Sequence, residues 1–474
     1  LNHPDTTPRV LTVGAYERDN FGDLLFLLLT ERYLAGSEIV ASAPFAADMT
    51  ELLDRQVVAT GEHLQQHRYD VVWSVGGQVG ALDLEGAFRM AVPPREFAAY
   101  QTATPARQRE ILSAAVAGAP ITSPYVPTVG AFPLNGGAVS VLNSVGIAGL
   151  TTRSVKVRHE MAAVLRTADV VSVRDKPSSK YLQELGVEHT LAPDVVHTLR
   201  VLEPYEPDPD SDVVVLQVSS GLAALMGHET IAEQLAASRH LGGSKVRFVM
   251  AGLATSHDSV ADCERIAERL QQLSPSTEIE FATGRQPLDV VKAIRDARLV
   301  IGTSLHVRIV AASYDLPRVT FERTKPTRYA RHWDKHMPFH VAVTDLDEAM
   351  GAALGARNRP EVREASARLS RLADENVRAI ADRVGELTAG LTDAVREERA
   401  ETRLAALAAA AEAAHHDLPG IRDELDATQA RLDETRTVLA RTRASLAEAQ
   451  AQAVPAGRPG LAERVLRRAG RRER

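Results

Sequence analysis

With 474 residues the chain is long enough for two or three domains, and 45% hydrophobic with 25% charged residues is ordinary for a globular fold. A net charge of −7 at pH 7 and an aromatic content of 4% leave no basic or base-stacking surface to expect, which argues against nucleic acid as a partner. The single cysteine, Cys263, excludes an intramolecular disulfide and a cysteine-based zinc site, which suits a reducing cytoplasm. The polar, proline-containing start at Leu1 reads as no secretory signal, and no apolar run is long enough to span a bilayer.

Val10–Val13 predicts a first strand, closed by Gly14 and followed by a polar loop, Tyr16 to Asp23, that leads into an apolar helix. Asn20 and Asp23 stand where N-caps and first-turn residues belong, and a loop at a strand's carboxyl end is also a usual place for substrate contacts. Ile39–Ala43 and Tyr69–Val75 predict two more strands, the latter running into Gly76-Gly77, a pair that permits a tight turn or the close approach of a ligand. Residues 82–133 carry Pro93-Pro94, a helical stretch over Ala106–Ala117 and a proline-rich loop, and read as an insertion. Val139–Gly146 returns to strand character. Val170–Val173 is a buried strand that ends in Arg174-Asp175, and Lys176-Pro177-Ser178 opens the next helix before a Pro193-Asp194 step. Arg174-Asp175 is either a salt bridge holding a turn or an arginine placed to grip a carboxylate or phosphate.

Glu203–Asp212 is acidic, proline-rich and without apolar periodicity, a predicted interdomain linker. Strands then alternate with helices: Val213–Val218, Lys245–Met250, Ile279–Ala282, Leu299–Ile301 and Arg318–Phe321. In an open α/β sheet ligands bind at the carboxyl ends of the strands, and Gly302-Thr303-Ser304-Leu305-His306 occupies such an end. On spacing alone His306 is as readily a packed or capping histidine as a functional one. Beyond Phe321 comes ERTKPTRYARHWDKH, dense in Lys, Arg and His. From Glu361 the composition turns helical, and Leu418, Leu425, Leu432, Leu439 and Leu446 recur every seven residues with mostly Thr three residues on. Thr is a poor core residue there, so the predicted coiled coil is weak. The arginine-rich end, from Arg458, suits either an anionic membrane surface or a solvated tail.

These segments together predict two Rossmann-like domains in a GT-B-like arrangement with a long C-terminal helical and coiled-coil extension. The boundaries are 9–202, a linker at 203–212, 213–357, a packing helix at 361–397 set against the second domain, a helical or coiled-coil stretch at 398–452, and a basic tail at 453–474.

Three segments resemble the polysaccharide pyruvyl transferase family: Asn20-Phe21-Gly22-Asp23, the run from Ser172-Val173-Arg174-Asp175 to Pro193-Asp194, and Ser304-Leu305-His306. The family has Arg-Leu-His at the third, so here the histidine is kept and the arginine is not; it also has three glycines where this chain has Gly76-Gly77. The resemblance covers about residues 10–345 and implies transfer of pyruvate from phosphoenolpyruvate to sugar hydroxyls of a cell-surface polysaccharide or its precursor, forming a ketal. It implies His306 as general acid, and Arg174 and Lys325 as anion grips. Asn20, Asp23, Gly76 and Gly77 would line the substrate site, with Ser304 at the position of the lost arginine and Arg308 or Arg323 as its replacement. No cofactor or metal is expected beyond the donor. The partners expected are a saccharide acceptor, lipid-linked or free, peripheral membrane contact through the tail, and self-association through the heptads, with the protein in the cytoplasm or at the inner membrane face. Two other readings stay open: a GT-B glycosyltransferase using a nucleotide sugar, and a non-catalytic coiled-coil scaffold.

Overall fold

The computed structural model describes residues 7–254 and 257–417. Residues 1–411 form one compact unit, which holds both sheets and the candidate site. Fourteen strands are found among the described residues, in two sheets. The first has eight: β1 (Arg9–Val13), β2 (Glu38–Ala43), β3 (Ala47–Asp48), β4 (Gln56–Ala59), β5 (Val71–Val75), β6 (Val139–Asn143), β7 (Val170–Val173) and β8 (Thr190–Leu191). The second has six: β9 (Val213–Gln217), β10 (Lys245–Phe248), β11 (Glu278–Phe281), β12 (Leu299–Gly302), β13 (Arg318–Phe321) and β14 (Phe339–Val341). Central strands such as β5 and β6 are buried along their whole length, which is why they read as unbroken apolar runs instead of alternating ones.

The strand orders are β3-β4-β2-β1-β5-β6-β7-β8 and β11-β10-β9-β12-β13-β14, and every pairing is parallel except β3 with β4. The fold is therefore mixed α/β with two parallel-rich sheets, as the strand and helix alternation implies. Each sheet reverses its winding once beside its first strand: between β1 and β5, and between β9 and β12. At such a reversal the two flanking connections leave to opposite faces, and a crevice remains between them at the strands' carboxyl ends. The polar loop 14–20 and Gly76-Gly77 lie at the first crevice, Gln217 and Thr303 at the second.

Seven helices shape the site and its surroundings: α1 (Phe21–Tyr33), α2 (Lys176–Glu184), α3 (Ser220–Met226), α4 (Leu305–Ser313), α5 (Thr324–Trp333), α6 (Pro360–Ala389) and α7 (393–417). The largest apolar core joins the two halves, with Leu24 and Phe26 of α1, Val307 and Val310 of α4, and Val377 and Ile380 of α6 in one cluster. The insertion between β5 and β6 is three helices, Leu84–Ala91, Pro94–Thr102 and Pro105–Ala115.

The C-terminal region departs from expectation. Helix α6 does not simply pack on the second half: Val362 enters the second half's core, but Val377, Ile380 and Val384 cross to the core shared with α1 and β6. The first part of helix α7, residues 393–411, then packs on the loops just ahead of β5, β6 and β7. A methyl group on Gly137 would stand 2.3 Å from the Arg396 carbonyl oxygen, so the glycine lets the helix backbone come down onto the loop. Arg403 donates to the Gly136 and Ala138 carbonyls (2.8 and 2.6 Å) and to Asp169 (2.8 Å). The heptads from Leu418 and the basic tail lie outside the described residues.

Candidate active site

The turn from β12 into α4 is held by one amide. Gln217, at the end of β9, accepts through Oε1 from Thr303 N, Thr303 Oγ1 and Ser304 N (2.8, 3.1 and 2.8 Å). Its Nε2 donates to Asp258 (2.7 Å), tying in the loop after β10. Ser304 is the N-cap of α4, accepting from Val307 N at 3.5 Å. His306 is thereby set in the first turn, buried, with Nε2 lacking any hydrogen-bond partner among the described residues. An unpaired buried imidazole nitrogen at a crevice is costly unless a ligand uses it.

The first half supplies the opposite wall. Asn20 caps α1 by accepting from Gly22 N (3.2 Å), and it donates to Asp23 (3.0 Å). Arg18 pairs with the same carboxylate at 3.1 Å. Gly22 explains the motif's spacing, because a methyl group there would lie 1.7 Å from His306 Nδ1. The ring of His306 sits where a side chain of residue 22 would be, and the edges of Phe26 and Phe21 hold it from the sides (centroids 5.2 and 6.4 Å). Gly76 and Gly77 both have positive φ (62° and 74°). Gly77 lines the cavity, whereas Gly76 lies behind it, its missing side chain making room for Phe26.

The cavity is a partly open cleft of about 360 Å³ and brings together Asn20, Asp23, Gly77, Arg174, Ser304, His306 and Lys325. Arg174 is not paired with its neighbour Asp175: it is ion-paired to the fully buried Asp194, and it lines the cavity. Asp194 Oδ2 lies 4.0 Å from His306 Nε2. Burial pushes the His306 imidazole below its ordinary 6.5; Asp194 and Asp23 oppose this, and Arg174 and Lys325 add to it. Burial would raise the Asp23 carboxyl, but Arg18 foremost, then His306 and Lys325, bring it below the usual range. Lys325 keeps an exposed surface at the cavity's mouth, and its ammonium is depressed by the protein around it and by Arg174 and Arg18 against the pull of Asp23. Burial lifts Asp258 to about 7 despite its bonds to Ala251 N and Gln217.

Arg308 is not in the cavity. Its guanidinium is buried behind α4, donating to Thr320 Oγ1 and to the carbonyls of Asp334, Met337 and Pro338, with Nε 2.8 Å from Asp334. Two residues on from His306, a helix turns through about 200°, which carries Arg308 to the far side. It braces β13 and the end of α5 and offers no charge to a ligand. Arg323 lines the cavity instead, with Nη2 buried and unpaired among the described residues.

Sequence reasoning passed over Gln217, Arg18 and Asp258, and gave Gly22 and Asp194 no role. The first three carry no spacing signal, because long-range pairing alone places them. Among the described residues no group of three or more His, Cys, Asp or Glu side chains is positioned to hold a metal ion, and no helix is long and apolar enough to cross a membrane.

Comparison with curated proteins returns no match. Among solved structures, the Methanocaldococcus jannaschii UDP-GlcNAc 2-epimerase in complex with UDP-GlcNAc and UDP is 11% identical with a TM-score of 0.44, over 78% of this chain and 100% of that one. Anabaena HepE in complex with UDP and glucose is 12% identical with a TM-score of 0.45, over 80% and 100%. The spinosyn rhamnosyltransferase is 14% identical with a TM-score of 0.39, over 79% and 99%. Within the chain itself, residues 127–324, which hold Arg174, Asp194 and His306, match the polysaccharide pyruvyl transferase family.

Proposed function

We propose that the cavity transfers pyruvate from phosphoenolpyruvate to two hydroxyls of a saccharide and closes a ketal. The observation that carries this reading is the buried Nε2 of His306, without a hydrogen-bond partner among the described residues, in a cavity also lined by Arg174, Arg323 and Lys325. The donor's carboxylate and phosphate need at least two cations in a partly dry site, and a proton must be delivered to its methylene carbon.

The free imidazole is held neutral by burial, so it is not loaded with that proton in advance. The bound donor brings several negative charges beside it, and these raise its proton affinity, so donor binding charges the acid that will attack it. Protonation of the methylene carbon forms the methyl group and makes the adjacent carbon electrophilic. One sugar hydroxyl adds there, a second displaces phosphate, and the two hydroxyl protons return one to His306 and one to the departing phosphate. Arg323 replaces the cation that Ser304 no longer supplies. No cofactor is assigned a step.

Thermal melting with phosphoenolpyruvate, set beside nucleotide sugars, tests the donor. Phosphoenolpyruvate should raise the midpoint. Phosphate release should show Arg323→Ala and Arg174→Ala raising the donor constant by about tenfold or more, and His306→Ala lowering turnover instead. Phosphate release unchanged by all three variants, or stabilisation by nucleotide sugars alone, overturns the reading.

A further inference from the structure

A larger groove of about 910 Å³ adjoins the cavity, and Arg174, Arg323 and Thr324 line both. One wall is cationic. Helix α5 places Arg328 and Arg331 three and six residues beyond Lys325, on the face that runs from the cavity outward, and Lys176 at the start of α2 stands with them. Arg323, Arg328, Arg331 and Lys176 have no carboxylate within 4 Å among the described residues, in a chain whose net charge is −7. Of the two carboxylates on the groove, Asp175 caps α2 through Ser178 N (2.9 Å), and Glu322 lies 3.5 Å from His340. The other wall is apolar, with Leu222, Leu225 and Met226 of α3, and Leu225 is 72% exposed. With Arg323 assigned to the donor, three unpaired cations, Lys176, Arg328 and Arg331, line the groove and not the cavity, and they form a site for a second anion.

We infer that the groove binds a phosphate or diphosphate ester carried by the acceptor saccharide, with the phosphates against Lys176, Arg328 and Arg331 and the reacting hydroxyls in the cavity. This rests on the proposed pyruvyl transfer for the identity of the acceptor, though the anion site itself does not. Such an ester comes from either of two sources, a nucleoside diphosphate or an isoprenyl diphosphate. The apolar wall offers the second a place for its first carbons.

Titration calorimetry on the full chain tests it with four probes: inorganic pyrophosphate, a UDP-linked hexosamine, a short-chain prenyl diphosphate hexosamine, and the methyl glycoside of the same sugar. The diphosphate esters should bind more tightly than the glycoside, and Arg328→Ala/Arg331→Ala should weaken them by about tenfold or more, with partial recovery in Arg328→Lys/Arg331→Lys. The melting shift given by phosphoenolpyruvate should be the same in wild type and double variant. A preference for the prenyl ester that Leu225→Ser removes identifies the lipid source, and no such preference identifies the nucleotide. Equal affinity for glycoside and diphosphate, or diphosphate affinity untouched by the double variant, overturns the inference. Diphosphate binding that behaves as expected, without any melting shift from phosphoenolpyruvate, overturns the pyruvyl reading and leaves the groove standing.

Discussion

Residue 22 can carry no side chain, because the imidazole of His306 fills the space in which one would stand. The two residues come from opposite halves of the fold, so the position of the proposed acid depends on both. Gly22→Ala should push the ring off its place and lower turnover by about a hundredfold, the usual result of an ångström-scale misplacement. Donor-induced stabilisation should survive in part, since Arg174, Arg323 and Lys325 are untouched; steady-state turnover and thermal melting on the same sample separate the two effects. The pH dependence follows from the same ring. Its protonated form is the active one, and in the free protein it titrates below 6.5, so kcat/KM for the donor should fall as pH rises from that point. Ionisation of Asp258 near 7 adds negative charge to the cavity and depresses donor affinity in the same direction. The midpoint in kcat should lie higher, because the bound anion holds the proton. In His306→Asn the limb in kcat should vanish and the Asp258 limb in kcat/KM remain; pH–rate profiles of the two proteins decide it.

Elements were legible where one local rule governed them. The apolar runs of β1, β5, β9 and β12 and the glycines that close β1, β5 and β12 are all local signals, and they place His306, Gly77 and Asn20 beyond strand ends without further help. Short strands were not legible. β3, β4 and β14 owe their pairing to neighbours already in place, and two to four residues carry too little pattern to show it. Helix α5 showed in the sequence only as a stretch dense in Lys, Arg and His, with no element assigned to it, yet Pro326, Thr327, Tyr329 and Ala330 bury one face and leave the cations on the other. Tyr329 accounts for part of that anchoring, because its hydroxyl meets both Asp194 N and His197 at 3.0 Å. Arg308 shows the opposite failure: it stands next to the motif in sequence, but the helical turn sends it to the other side of α4.

At the scale of the molecule the two halves are clasped twice, by the core between α1 and α4 and by the C-terminal helices that recross to the first sheet. Helix α7 is part of this clasp, since Arg396 pairs with Asp70, and Arg399 and Arg403 with Asp169. A chain ending at residue 390 should therefore lose about 3 kcal/mol or more, with Asp169 left without its two arginines and the Gly136 carbonyl without its donor, and calorimetric melting reads this directly. One ending at residue 417 keeps these contacts and removes only the heptads and tail. If those heptads drive self-association, light scattering at micromolar concentration should give a smaller particle for the 417-residue chain than for the full one, and equal sizes would exclude them.

Arg403 is about 200 residues downstream of the last strand of the first sheet. At the usual pace of synthesis, about 5–20 residues per second, roughly ten to forty seconds separate the two. Until His306 arrives, about halfway through that interval, the site has only one wall, and Gly136, Ala138 and Asp169 stay without their Arg403 contacts to the end of it. The first half is thus completed by one of the last helices to be made, so a product terminated between residues 326 and 403 would carry every residue lining the cavity on a first sheet still lacking those contacts.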